Sequence, residues 1–125
     1  MLYSVLIYEF EASASLLSDA ENKLNLDAHH HFQAELKQGD RLKQVVRLMP
    51  TSTATSLKKS TIIDGPFADT KEQFVGFYVF EADDLDDALS LIKILPNHAT
   101  LEVRPIMYYE GGDIAGKSPT IIRHP

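Results

Sequence analysis

The chain has 125 residues, an apolar content of 44% and a formal net charge of −6, which are ordinary values for one globular domain. It contains no run of basic residues, so the sequence argues against direct binding of nucleic acid, which needs a positively charged surface. The absence of cysteine excludes disulfides, thiolate catalysis and cysteine metal ligands. No segment approaches the ~18 apolar residues that span a bilayer, and no signal-peptide pattern is visible, so we predict a cytoplasmic protein without a membrane partner.

Four main strands and two long helices are predicted along the chain. The strands are predicted over residues 2–8, 41–49, 74–80 and 100–108, and the helices over residues 19–38 and 83–95. Ser18 and Glu21 fit a capping box at the start of the first helix, and Gly39 is a typical residue for its end. The apolar stripe of this helix predicts packing on a sheet and consists of Ala20, Leu24, Ala28, Phe32 and Leu36.

Between the second and third main strands, residues 53–57 and 60–63 predict a small hairpin across Lys58-Lys59. The complete order is therefore β-α-β-(hairpin)-β-α-β, which is typical of an α+β, ferredoxin-like fold. Residues 1–108 are predicted to form this domain, and residues 109–125, where the composition changes, a C-terminal tail.

The strand predicted over residues 74–80 is apolar on both faces. We expect Phe74, Tyr78 and Phe80 on one face, and Val75, Phe77 and Val79 on the other. Two helices cover only one face of such a sheet, so the second face needs another layer, and the chain has no further element to supply it. We therefore predict a homodimer with sheet packed on sheet. Gly76, inside this strand, predicts a bulge or the close approach of another group.

A polar stretch rich in turn residues leads directly into this strand. Its sequence is Asp64-Gly65-Pro66-Phe67-Ala68-Asp69-Thr70-Lys71-Glu72-Gln73, followed by Phe74-Val75-Gly76-Phe77-Tyr78. We call residues 64–73 the signature loop, because the stretch resembles the signature of the YCII-related, or DGPF, family. The resemblance covers about residues 2–108. It implies a dimeric α/β barrel and leaves the reaction open, because the family has no single assigned chemistry.

The three consecutive histidines, His29 to His31, lie within the first predicted helix. Neighbouring side chains on a helix point about 100° apart, so these three do not converge on one ion, and we predict neither a metal nor a cofactor. His29 falls on the edge of the buried face, where it is either a hydrogen-bonded structural residue or a general acid/base. The resemblance implies a histidine in this helix, which some relatives pair with an aspartate just after the second strand; here residues 50–53 contain no acid.

The predicted site combines His29 with the signature loop. We predict catalytic roles for His29, Asp64 and Glu72, and ligand-binding roles for Tyr8, Asp69 and Lys71. Structural interpretations remain for the others as well as for His29. Asp64 closes an Asx-turn over the following glycine, and Asp69 caps a short turn with Glu72 at the capping-box position. The Tyr8 ring packs with its hydroxyl at an edge.

Two hypotheses for function follow. In the first, the protein binds a small organic ligand, or is an enzyme that uses general acid/base chemistry for an elimination or isomerisation. In the second, it is a non-catalytic accessory or regulatory protein, since the resemblance implies an association with extracytoplasmic-function sigma factors. The two differ in whether the signature loop lines a closed cavity or lies on an open surface.

Overall fold

The computed structural model describes residues 1–111. In chain order the elements are β1 (Leu2–Glu9), α1 (Glu11–Ala14), α2 (Asp19–Gln38), β2 (Leu42–Arg47), a short 3-10 helix (Thr51–Thr53), β3 (Thr55–Lys58), β4 (Thr61–Asp64), β5 (Gln73–Glu81), α3 (Leu85–Ile92) and β6 (Thr100–Pro105). Most of the tail predicted for residues 109–125 lies outside the described residues, from position 112 onward.

The four long strands form one antiparallel sheet in the order β2-β5-β1-β6. Strands β3 and β4 pair with each other in a separate hairpin. The two central strands therefore come from the beginning and the later part of the chain, with α2 and α3 in the connections between strands. This arrangement confirms the α+β class and is compatible with the ferredoxin-like fold.

Helix α2 begins and ends where the sequence predicts. The Ser18 side chain accepts a hydrogen bond from the Glu21 backbone nitrogen, and the Glu21 carboxylate accepts one from the Ser18 backbone nitrogen, both at 3.1 Å. Gly39 follows as the C-cap. No helix within residues 1–111 is long and apolar enough to cross a bilayer.

The predicted stripe of α2 is buried only in its second half. Phe32 and Leu36 are fully buried, whereas Ala20 and Leu24 are exposed. The earlier turns of α2 border the cavities around His29 through Asn22, Asn25 and Leu26, and not through the residues of the predicted stripe.

Helix α3 completes the layer on the same face of the sheet. The Asp84 side chain caps it by accepting a hydrogen bond from the Asp87 backbone nitrogen at 2.8 Å. Ala88, Leu91 and Ile92 of α3 join Phe32 and Leu36 in the buried core, which also includes Tyr3, Val5, Ile7, Val75, Tyr78 and Phe80 from the sheet. We call this side of the sheet the helix-covered face.

A bulge in β5 corrects the predicted alternation of that strand. Ile7 of β1 pairs with Gly76, and Tyr8 pairs with Phe74, so Val75 is the extra residue. The bulge places Val75 in the core and moves Phe74 to the side of Phe77, opposite to the prediction for both residues. The bulge that was predicted near Gly76 is confirmed.

The opposite side of the sheet, which we call the second face, carries apolar side chains without a layer of helices. They are Leu2, Leu6, Val46, Phe74, Phe77 and Val79. Val79 is buried by its neighbours, but the other five remain partly or largely exposed in the single chain. The structure therefore confirms that the sheet has an apolar face without helices, which is the feature from which we predicted a second layer.

The hairpin is present, but its turn is displaced by one residue from the prediction. Lys58 pairs with Thr61, and the turn consists of Lys59 and Ser60, with φ values of 49° and 67°. Both angles suit a two-residue primed turn, whose twist matches that of the strands. The hairpin holds the start of the signature loop, because the Gly65 backbone nitrogen donates to the Ala54 carbonyl oxygen at 2.8 Å.

Candidate functional site

Three side chains meet where α2 crosses β5 on the helix-covered face. Nδ1 of His29 lies 2.6 Å from the hydroxyl oxygen of Tyr78, and Nε2 of Gln33 donates to the same oxygen at 3.1 Å. His29 and Gln33 are four residues apart, so they project from one side of α2. The Tyr78 ring is buried and packs edge-on against Phe32 at 4.8 Å between ring centroids. The hydroxyl is thus held in a fixed position beside the imidazole.

The direction of the hydrogen bond between His29 and Tyr78 depends on the tautomer of the imidazole, because the Tyr78 oxygen already accepts from the Gln33 amide and can either donate to Nδ1 or accept from it. When the Tyr78 hydroxyl donates to Nδ1, the neutral ring carries its hydrogen on Nε2. Burial lowers the pKa of His29 below its usual value, against the opposing attraction of the Glu9 carboxylate, and burial raises the pKa of Tyr78. Near neutral pH the site is therefore an uncharged, hydrogen-bonded pair.

Two cavities meet at His29. One, of about 300 Å³, is lined by His29, Tyr78 and Gln33 together with apolar side chains. The other, of about 200 Å³, is lined by His29 with Glu9 and other polar groups. Both cavities are also lined by Arg47 and Leu26. Polar groups able to exchange protons thus border space that is large enough for a small ligand.

Glu9 is a buried carboxylate beside this site. Glu9 is only 7% exposed, and Oε2 of its carboxylate lies 3.7 Å from Nε2 of His98. We predicted that the first strand ends at residue 8, but β1 includes Glu9, which continues the buried alternation of Tyr3, Val5 and Ile7. That alternation was the signal by which the residue could have been found.

The signature loop borders a different cavity, of about 390 Å³, together with Tyr8 and Phe74. Three predicted site residues, Tyr8, Asp69 and Glu72, come together there. The Glu72 carboxylate accepts a hydrogen bond from the Thr100 hydroxyl at 2.8 Å, and the Tyr8 hydroxyl donates to Glu102 at 3.3 Å.

The structure does not bring all six predicted residues together. Asp64 pairs with Thr55 at the end of the hairpin and is exposed. The ammonium group of Lys71 lies 6.0 Å from the centre of the Phe10 ring. Within one chain the sheet separates His29 from the loop cavity, because Tyr8 and its neighbours in β1 point to opposite faces.

The other two histidines diverge from His29, as helix geometry requires. His30 is exposed, and Nε2 of His31 lies 3.6 Å from the Glu35 carboxylate, outside the cavities at His29. Within residues 1–111, no group of three histidine or acidic side chains is arranged to hold a metal ion.

Comparison with known proteins agrees with the resemblance carried by the signature loop. The model of the YCII-related domain matches residues 1–110. The chain belongs to the YCII-related family. It is 36% identical over 122 residues to an uncharacterised protein of Rhizobium meliloti (strain 1021), an alignment that covers 91% of this chain and 98% of that protein.

In this YCII-related protein, the hydrogen-bond partner of His29 is a tyrosine. The segment after β2, whose residues 50–53 contain no acid, forms the 3-10 helix Thr51–Thr53, and the Thr51 backbone nitrogen donates a hydrogen bond to the Glu11 carboxylate at 3.0 Å. His29 instead contacts Tyr78, which reaches it from β5. No spacing rule in the sequence links residues 49 positions apart, so the sequence analysis missed this pair.

The lowered pKa of His29 predicts how stability depends on pH. In the unfolded chain His29 titrates near its usual value of about 6.5, whereas in the folded chain it takes up its proton at lower pH. Below about pH 6.5 the unfolded state therefore binds more protons, and the free energy of unfolding falls as the pH falls. The stability that the neutral form of His29 contributes is fully present above about pH 6.5.

Urea denaturation at a series of pH values from about 5 to 8, around the usual histidine pKa, measures this effect. We expect His29→Gln to flatten the profile below pH 6.5 relative to the native sequence. His30→Gln, at the exposed neighbouring position, is the matched control and should keep the original slope. Equal profiles for the native protein and His29→Gln would contradict the prediction.

Proposed function

We propose that this protein is a small-molecule-binding enzyme whose site lies between α2 and the helix-covered face of the sheet. The observation that carries the proposal is the contact of 2.6 Å between His29 and Tyr78 at the wall of a cavity of about 300 Å³. A half-buried neutral imidazole, fixed by a partner on one nitrogen and bordering a cavity, suits proton-transfer chemistry.

The protonation state of the pair indicates a role for each group. When the Tyr78 hydroxyl donates to Nδ1, Nε2 of His29 carries a hydrogen that can be donated to a ligand oxygen, which stabilises negative charge that develops there. The Glu9 carboxylate borders the adjoining cavity and is the base that we assign to the proton on carbon. The reaction class is therefore proton abstraction next to a carbonyl group, as in an isomerisation or elimination.

Exchange of carbon-bound hydrogen with solvent tests this proposal without knowledge of the substrate. A panel of small ketones and 2-oxo acids is incubated with the protein in D2O, and loss of the proton signal next to the carbonyl is followed by NMR. We expect catalysed exchange for some members, reduced at least about 100-fold in His29→Gln and in Glu9→Gln. His31→Gln, on the outer side of α2, is the control. Exchange that is absent throughout the panel, or unchanged in His29→Gln, would refute the proposal.

We further propose that two copies pack through the second face to form a dimeric α/β barrel. The support is the set of partly exposed apolar side chains on that face, with Phe77 and Leu6 paired at its centre. A monomer that left such a surface in water would expose an unusually large apolar patch. The resemblance carried by the signature loop implies the same arrangement.

Light scattering at micromolar concentration should give twice the chain mass of 14.0 kDa. Phe77→Asp should yield folded monomer, because it places an unpaired charge in the centre of the shared face. Leu85→Asp adds the same charge at an exposed position at the start of α3 and should remain dimeric. A native protein of the mass of one chain would rule out the barrel.

A non-catalytic role beside an extracytoplasmic-function sigma factor is the second candidate. The observation that favours it is the exposure of the signature loop, whose residues 66–71 are all exposed and whose Phe67 is 75% exposed. An exposed aromatic residue among charged ones is typical of a protein-contact surface. Binding to a purified sigma factor that is lost in Phe67→Ser and kept in His29→Gln would establish this role.

A further inference from the structure

Arg47 lies at the junction of the two cavities that meet at His29. It is the last residue of β2 and pairs with Gly76 of β5, which places it on the helix-covered face. It lines both the cavity of about 300 Å³ and the one of about 200 Å³. Burial lowers the pKa of His29 and raises the pKa of Tyr78; the charge of Arg47 adds to the first effect and opposes the second.

The charge of Arg47 is not neutralised by the carboxylates nearby. Glu9, which lines the smaller cavity together with Arg47, lies 3.7 Å from His98. No carboxylate of the described residues lies within 4 Å of the Arg47 guanidinium. A guanidinium binds a carboxylate through two parallel hydrogen bonds, so a free one at a cavity wall is suited to this group.

The remainder of the larger cavity is apolar. Ile7, Leu26, Val45 and Val75 contribute aliphatic walls, whereas His29, Gln33 and Tyr78 contribute the other polar groups. A volume of about 300 Å³ is at the lower end of the range for ligand sites and suits a small molecule better than a nucleotide.

We propose that the site takes a small organic acid with an apolar body, whose carboxylate binds Arg47 while its body lies against the aliphatic walls. This inference rests on the proposed function, and it adds the class of the ligand. With the carboxylate held at Arg47, a carbonyl oxygen elsewhere on the ligand lies on the side of His29. Arg47 is thus the residue that selects acids over neutral molecules of the same shape.

Pairs of molecules that differ only in charge test the assignment. Acetate, butyrate and benzoate are each compared with the corresponding primary amide, and binding is measured from the shifts of the histidine ring resonances. We expect butyrate and benzoate to bind at least about tenfold more tightly than their amides, as one charged hydrogen-bonded pair would produce. Acetate, which lacks an apolar body, should bind most weakly of the three acids.

Variants identify the source of the preference. Arg47→Met should remove the difference between acid and amide, and Arg47→Lys should keep part of it, because an ammonium group lacks the planar fork. Arg104→Met, on the second face of the sheet, is the matched control and should bind as the native protein does. Circular dichroism establishes that each variant is folded.

The outcomes separate this inference from the function on which it rests. Equal binding of acids and amides, or a preference that survives Arg47→Met, overturns the carboxylate assignment and leaves the acid/base proposal in place. If His29→Gln abolishes solvent exchange but still binds benzoate in preference to benzamide, both proposals stand. If benzoate binds through Arg47 but His29→Gln leaves exchange unchanged, only the acid/base proposal fails. Failure of all six molecules to shift the histidine resonances overturns the ligand class.

Discussion

Phe32→Ala is expected to lower the free energy of unfolding by about 3–5 kcal/mol, the range for removing a buried phenylalanine. Phe32 is fully buried between α2 and the sheet, where its ring contacts those of Tyr78 and Phe80 at 4.8 and 5.8 Å between centroids. The substitution removes the apolar contacts and leaves a cavity that rigid neighbours cannot fill. The substitution also removes the ring that packs against Tyr78, the partner of His29. We therefore expect the NMR resonances of the His29 ring to shift in the same variant.

Urea denaturation at one fixed protein concentration measures the loss, since a dimer's stability depends on concentration. Leu24→Ala is the matched control, because Leu24 belongs to the same predicted stripe of α2 but is 68% exposed. We expect that control to change stability by less than about 0.5 kcal/mol. Equal losses for the two variants would mean that the whole stripe is buried, as the sequence alone suggested.

The parts of the fold that the sequence predicted well depend on local rules. The capping box at Ser18, the glycine at the end of α2 and the alternation of β1 each involve residues within a few positions of one another. The order of strands and helices then restricts the topology strongly, because few arrangements connect these elements without crossing.

The errors arise where distant elements decide the outcome. A bulge in β5 reversed the faces of Phe74 and Val75, and its position depends on pairing with β1. Ala20 and Leu24 of the α2 stripe are exposed, and only its second half, Phe32 and Leu36, meets the sheet. Periodicity within one helix contains no information about what the helix meets.

In the candidate site, too, the position set by local helix geometry was predictable, and the contacts set by distant strands were not. The edge position of His29 on α2 was predictable from helix geometry, and the structure places it at a cavity wall. Tyr78, Arg47 and Glu9 join it through the register of three different strands, which the sequence does not fix. The signature loop, the most recognisable stretch in the chain, borders a cavity on the second face instead. A family signature thus identifies the family, but it does not show where all of the candidate site residues lie.

Gly76→Ala is expected to destabilise the fold by about 1–3 kcal/mol, the range for overpacking a close contact. A Cβ atom at position 76 would lie 2.5 Å from the backbone carbonyl oxygen of Val46 in the neighbouring strand. Because that obstacle is backbone, β2 must move away from β5, and Arg47, which pairs with Gly76, must move with it. Benzoate binding should therefore weaken together with the stability, although position 76 carries no charge.

Gly39→Ala is the control for the general effect of adding a methyl group at a glycine. Its Cβ would meet only the flexible side chain of Arg41, at 3.4 Å, so the free energy of unfolding should change by less than about 0.5 kcal/mol. Urea denaturation of both variants, with benzoate titrations followed by NMR, measures the two effects side by side. If Gly76→Ala matched Gly39→Ala in stability, the close approach of β2 and β5 would be wrong. If stability fell but benzoate binding did not, Arg47 would hold its position independently of the strand pairing, because the ligand would still meet the same guanidinium.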